Sequence, residues 1–514
     1  MRRVAVATIV GVIAAASLIG GPVPNAVATG AAIKGAGSTW SQIAIRQWTQ
    51  DVAKNGLSVF YGGGGSSAGR EFYMDATVDF AVSEVPFQPV SYDRLGNKLP
   101  DEISRAAQRP YAYMPIVAGG TSFMYHLDVN GRRITDLHLS GRTIAKIFTG
   151  KITNWNDPAI TADDGRHFPS LPIHPIVRSD GSGTSAQFTL YMLKMFPDIW
   201  NPFCTRYTNL PAPCPLQSLY PYFPGSQAQN GSDGVSAFVA APYNNGAITY
   251  VEYGYALAQR FPVVSVENQA GYFRQPTAEN VAIALTKARL NPDRTQVLDD
   301  VYTNPDPRAY PISSYSYMIV PISDAAPMNP AKGATLGQFI LYFLCTGQQK
   351  AKPLGYSPLP ANLVGFGFDA EGRIPGAPKP PPVDAAHCAN PTITGAFGFG
   401  SVPDPPASDK AGAVRPGITG TNGSGSSADS GSGAGAADAN LQAADAGANA
   451  NAAGAADGST SGTGGSTNSL QATPVATKNP GDDVPLGIYI AVALVVVLAL
   501  FVPPGLYLLL RKRE

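Results

Sequence analysis

The chain has 514 residues, 44% of them hydrophobic and 14% charged, which is too long for one small core and leaves room for two domains besides its ends. Lys plus Arg and Asp plus Glu number 36 each, so the formal net charge is zero. That balance argues against nucleic acid as the main partner but is compatible with a local positive site. At the N-terminus, Met1–Ala28 begins with Arg2 and Arg3, runs through "VAVATIVGVIAAASLIGG" and reaches "NAVA", the pattern of a secretory signal peptide cleaved after Ala28. No Cys precedes Cys204, so the residue that would carry a lipoprotein anchor is missing.

The next three stretches share one logic. "GAGSTWSQIAIRQWTQDVAKNG", Gly35–Gly56, is a glycine turn, then Ser38 and Thr39, then a helix with an apolar stripe of Trp40, Ala44, Trp48 and Val52. "LSVFYGGGGSSAGREFYMD", Leu57–Asp75, is a short strand, four glycines, Ser66 and Ser67, and another helix. "TVDFAVSEVPF", Thr77–Phe87, reads as a strand ending in a polar turn that carries Glu84. "YMPIVAGGTSFMYHL" is strand-rich, and "SGRTIAKIFTGKITNWNDPAI" holds a short helix with Ile144, Ile147 and Phe148.

"LPIHPIVR" is a strand that delivers Arg178 into "RSDGSGTSAQF", Arg178–Phe188. Glycines allow a sharp turn, a Ser or Thr before an apolar run caps a helix, and Phe188, Leu190, Met192, Leu193 and Met195 give that helix a buried face. Anions bind where backbone N–H groups and the positive end of the dipole leave such a terminus. Arg178 adds a planar fork suited to phosphate or carboxylate. An ordinary capped helix with a surface Arg–Asp pair fits this stretch alone equally well. Three Gly/Ser/Thr turns opening onto helices make an oxyanion site the stronger reading. A nucleotide-binding P-loop fails for want of its lysine.

Further on, "DGVSAFVAAPYNNGAITYVEYGYALA" reads as helix, turn, strand, helix, and "ATLGQFILYFLCTGQQK" as a late amphipathic helix. Alternation of strands and helices indicates an α/β fold with ligand sites at strand ends. The four cysteines allow three pairings; proximity favours Cys204–Cys214, which leaves Cys345–Cys388. There is no CxxC, no zinc-type cluster and no HExxH, so neither metal nor cofactor is expected. Residues 401–483 are rich in Gly, Ala, Ser and Asp and read as a disordered tether. The uncharged run Val484–Leu510 is long enough to span a bilayer, and "RKRE", 511–514, would face the cytoplasm, leaving the body outside a cell membrane on a single-pass anchor.

In order along the chain, "GAGSTW", "YGGGGSSAG", "VDFAVSEVP", "LSGRTIAKIFTGKITNWNDPAI", "VRSDGSGTSAQFTLYM" and "NGSDGVSAFVAAPYNNGAITYVEYGYA" resemble the phosphate-binding protein of the high-affinity phosphate ABC transporter, over about residues 33–350. The resemblance implies a two-lobed, type II periplasmic-binding-protein-like fold with a hinge, closing on inorganic phosphate and docking on a permease. It implies lobe 1 over 29–115 and 306–400 and lobe 2 over 116–305. By motif it assigns phosphate contacts to Thr39, Trp40 (through its backbone N–H), Ser66, Arg178, Ser182, Gly183 and Thr184, with Asp180 orienting Arg178. Trp40 stands where the family usually has Phe, and Glu84 where it has Asp, so Glu84 joins the set as an acceptor one methylene longer. No triad or metal cluster suggests an enzyme. The competing expectation is a cell-surface interaction or adhesion protein that keeps the fold without transport.

Overall fold

The computed structural model describes residues 30–400 and 402–413. The signal peptide of 1–28, the linker beyond 413, the segment 484–510 and the tail 511–514 lie outside the described residues. Among the described residues, no helix is long and apolar enough to cross a membrane.

Small residues let the first strands lie close together. β1 (Ile33–Gly37) is followed by α1 (Gln42–Ala53), β2 (Val59–Gly63), α2 (Ser66–Met74) and β3 (Phe80–Ser83). β2 and β3 flank β1 in parallel, and a Cβ on Gly35 would fall 2.2 Å from the Phe80 ring that crosses it. The predicted stripe of Trp40, Ala44, Trp48 and Val52 is buried, although Trp40 precedes the helix proper.

β4 (Tyr111–Tyr125) is 15 residues long, well beyond an ordinary strand of about 5–6 residues. Then come β5 (His174–Arg178), α3 (Gly183–Met195), β6 (Gln227–Gln229), α4 (Gly231–Ala240), β7 (Ala247–Glu252), β8 (Ser313–Pro321) and α5 (Pro330–Leu344). Together these strands form one mixed sheet of eight, in the order β2-β1-β3-β8-β4-β7-β5-β6. Tyr111–Gly120 of β4 pairs antiparallel with β8, and Thr121–Tyr125 pairs antiparallel with β7. One strand therefore serves both halves of an α/β, two-lobed body, and β8 brings the chain back beside it. Strand twist accumulates over such a sheet and curls its two ends toward each other.

Both cysteine pairs are disulfides: Cys204–Cys214, and Cys345–Cys388, which ties the end of α5 to a point 43 residues further along the chain. One limit moves. Composition places the start of the linker at 401, yet 402–413 lie against the body. Arg308 donates to the Val402 carbonyl at 2.9 Å, Arg274 pairs with Asp409 at 2.9 Å, and the Ala411 N–H donates to Gly271 at 2.8 Å. Backbone bonds and arginine partners hold this segment, and composition cannot display either.

Candidate functional site

The site forms where four helix N-termini meet: those of α1 and α2 from the β1–β3 end of the sheet, and those of α3 and α4 from the β5–β6 end. Each helix follows a glycine- and hydroxyl-bearing turn. Arg178, the last residue of β5, is buried to 1% exposure. Its Nε donates to Asp180 Oδ1 at 2.7 Å and its Nη2 to Asp180 Oδ2. Held on that edge, the guanidinium turns its remaining N–H groups to Thr39 Oγ1 at 2.9 Å, Ser232 Oγ at 3.3 Å and Thr184 Oγ1 at 3.5 Å. Asp180 Oδ1 also accepts from the Gly231 N–H at 2.9 Å, so one carboxylate organises both the arginine and the start of α4.

Glu84 follows β3 and is likewise 1% exposed. Its Oε1 accepts from Ser38 Oγ at 2.5 Å and Ser316 Oγ at 2.8 Å, and its Oε2 from Ser66 Oγ at 2.6 Å. The Ser66 hydroxyl in turn accepts the Gly183 N–H at 3.1 Å. The longer side chain of Glu84 is accommodated because its Oε2 lies against Gly183, where a Cβ would come within 2.0 Å. The two ends of the sheet are thus joined through Thr39–Ser232 at 3.0 Å, Ser66–Gly183, and the Ser67 N–H on the Gly181 carbonyl at 3.0 Å.

The turn before α1 is clamped from behind. Tyr61, Tyr255 and Tyr356 donate their hydroxyls to the carbonyls of Ser38, Thr39 and Trp40 at 2.8, 2.5 and 2.6 Å. Burial holds all three phenols well above their usual titration range, so they remain donors. The turn is also held through its own N–H groups: Ser38 N–H donates to the Val82 carbonyl at 2.8 Å and Trp40 N–H to Ser38 Oγ at 3.0 Å. The Trp40 indole packs edge-on to Tyr356, 5.6 Å between centroids, and over Gly119, where a Cβ would fall 2.6 Å from the ring. A glycine in β4 therefore makes room for an indole in place of a phenyl ring.

The structure brings Thr39, Trp40, Ser66, Glu84, Arg178, Asp180, Gly183 and Thr184 into this one cluster. Ser182 is present as the cap of α3, its Oγ accepting the Ser185 N–H at 3.2 Å. The sequence reading overlooked Ser38, Ser232 and Ser316 as site members. Ser232 was legible, because "NGSDGV" is a fourth turn of the same glycine–hydroxyl kind. Ser316 was not, since it lies inside a strand with no turn to mark it. Among the described residues, no group of His, Cys, Asp and Glu could hold a metal ion.

One arginine is matched by Asp180, and Glu84 adds a further negative charge. Attraction therefore comes from aligned N–H groups, hydroxyls and helix dipoles and not from excess cations. Such a site suits an oxyanion that also carries an O–H group to donate a hydrogen bond to Glu84.

A family model described as a PBP superfamily domain matches residues 23–346. The phosphate-binding protein PstS of Xylella fastidiosa (strain Temecula1) is 32% identical over 337 residues, covering 65% of this chain and 82% of that protein. The phosphate-binding protein PstS of Methanocaldococcus jannaschii is 28% identical over 389 residues, covering 71% and 93%. The solved structure of a high affinity periplasmic phosphate-binding protein bound with phosphate is similar at 21% identity and a TM-score of 0.49, covering 65% of this chain and 92% of that one. The chain belongs to the PBP superfamily and, within it, to the family of the phosphate-binding proteins PstS.

Proposed function

We propose that this chain is an extracytoplasmic binding protein, not an enzyme, that closes on inorganic phosphate between two lobes and delivers it to an ABC importer. Lobe 1 comprises 30–115 and 306–400 and contributes Thr39, Trp40, Ser66 and Glu84; lobe 2 comprises 116–305 and contributes Arg178, Ser182, Gly183 and Thr184. The observation that carries this reading is the convergence of four helix N-termini on Arg178, with a buried carboxylate opposite. Burying an oxyanion is costly unless every oxygen finds donors, and this cluster supplies hydroxyls, N–H groups and a guanidinium fork. Glu84 accepts a hydrogen bond from the P–OH group that phosphate retains near neutral pH and repels sulfate, which has none.

The same reading places a linker from 414 to 483 and a membrane-spanning segment at 484–510, which would hold the body at the outer face of a cell membrane. Isothermal titration of the body with phosphate, sulfate and arsenate tests the ligand. Phosphate binds, and Arg178→Ala weakens it at least ~30-fold, since truncating one partner of a buried charge pair costs about 2–5 kcal/mol. Binding by Arg178→Ala within threefold of wild type refutes the site. Protease added to intact cells should release a fragment that binds phosphate; full retention of the body in a cell without an outer barrier refutes the tether.

A further inference from the structure

One segment reaches the site from outside without belonging to it. Residues 88–102 leave and rejoin the body at a single point: the Glu102 N–H donates to the Gln88 carbonyl at 3.0 Å, and the Gln88 N–H to Glu102 Oε2 at 2.8 Å. That root is bolted to α2 by Arg70, 2% exposed, whose Nε and Nη2 donate to the Glu102 carboxylate at 2.8 and 3.1 Å. The arms pair through Leu99 N–H to the Ser91 carbonyl at 2.8 Å and a bridge between Tyr92 and Lys98. The tip is a rigid turn: Asp93 accepts from the N–H groups of Leu95 and Asn97 and from the Asn97 amide, each at 2.8 Å.

This preformed tip lies across the opposite half of the molecule. Arg94 donates through Nη2 to the carbonyls of Ser179 at 2.5 Å and Arg178 at 3.4 Å, and through Nε to that of Tyr220 at 3.2 Å. Its guanidinium lies 4.4 Å over the Tyr222 ring. Gly96, at φ +83°, lies so close to the Thr208 carbonyl that a Cβ there would be 2.0 Å away. Two of the three acceptors are the backbone of the site arginine and of the residue joining it to Asp180. The guanidinium is thus aimed at three carbonyls more than 80 residues away in sequence, two of them in the turn that carries the site arginine.

We propose that Arg94 is a latch: the strap 88–102 clasps the far lobe over the closed cleft, holds the Arg178–Asp180 turn in its ligand-binding geometry, and slows release of the bound oxyanion. This rests on the phosphate-binding reading above. Arg94 is a positioning residue: its guanidinium donates to backbone carbonyls and acts through them. Its bonds are made only when the cleft is closed, so they oppose opening and leave encounter unaffected. The strap's rigidity matters, because a tip already ordered loses little entropy on docking.

The test uses the full chain purified in detergent, with inorganic phosphate as the probe. Stopped-flow kinetics of Arg94→Ala should show phosphate dissociation about tenfold faster with association changed less than twofold, and Arg94→Lys should recover part of the difference. Leu95→Ala, in the same tip but pointing to solvent, should match wild type. Hydrogen exchange at saturating phosphate gives a second readout: amides in 178–182 and 218–222 exchange faster in Arg94→Ala, while those of α5 do not. Dissociation within twofold of wild type, or no recovery by Arg94→Lys, overturns the latch. Absence of phosphate binding by wild type would instead overturn the functional reading, and the latch with it.

Discussion

Replacing Glu84 by Gln changes one atom in a carboxylate that receives three hydroxyl hydrogen bonds. If the amide oxygen keeps the Oε1 position, Ser38 and Ser316 still donate to it. The new NH2 then meets Ser66 Oγ, whose hydroxyl must turn away, and the acceptor offered to a ligand proton is gone. The loss is one hydrogen bond to a charged group, about 1.5–3 kcal/mol, or phosphate binding weakened about 10- to 150-fold. Sulfate responds in the opposite sense: it brings no proton, so removing a negative charge relieves repulsion and the amide adds a donor. Competition titration calorimetry at pH 7 should therefore show phosphate weakened and the gap to sulfate narrowed from both sides. Both affinities unchanged within twofold would show that Glu84 has no part in binding, and selectivity would require another source.

Gly183→Ala should abolish tight phosphate binding with little change in the melting temperature of the ligand-free protein, because its Cβ would lie 2.0 Å from Glu84 Oε2 and 2.6 Å from Ser66 Oγ, contacts that exist only across the closed cleft; retained affinity would refute the closed geometry. Glu371 is buried, with no hydrogen-bond partner for either oxygen among the described residues, and burial pushes its carboxyl from 4.5 up to about 7. The native state then keeps a proton that the unfolded chain has lost, so this group's effect is a fall in stability as pH rises from 4.5 to 7, with no further change above. Glu371→Gln should accordingly gain melting temperature over wild type at pH 8 and not at pH 4.5; an equal difference at both pH values would refute the shift. Opening the 43-residue separation closed by Cys345–Cys388 with a double alanine substitution should cost about 4 kcal/mol by the loop-entropy relation, read by urea denaturation; a loss below about 1 kcal/mol would show that the bridge does not constrain the unfolded chain.

Sequence alone determined the parts of this protein that are local. A glycine turn, a hydroxyl residue and an apolar run at helical spacing lie within about a dozen residues, and the same physics that caps a helix makes its start an anion site. That is why Thr39, Ser66, Arg178 and Gly183–Thr184 were legible, and why Ser232 could have been. The pairing of Cys204 with Cys214 was favoured by proximity for the same reason. Tertiary structure decided everything that depends on which turn faces which. Thr39 meets Ser232 across 193 residues and Ser316 meets Glu84 across 232, and those encounters exist only because a twisted sheet with one 15-residue strand through its middle curls its ends together. The tyrosine clamps behind Ser38, Thr39 and Trp40, the glycine that admits the Trp40 indole, and the strap that carries Arg94 are likewise long-range matches of shape and hydrogen bonding. Residue types along a chain leave no record of such matches, because any buried tyrosine or exposed arginine fits the same local pattern until the fold brings its partner to it.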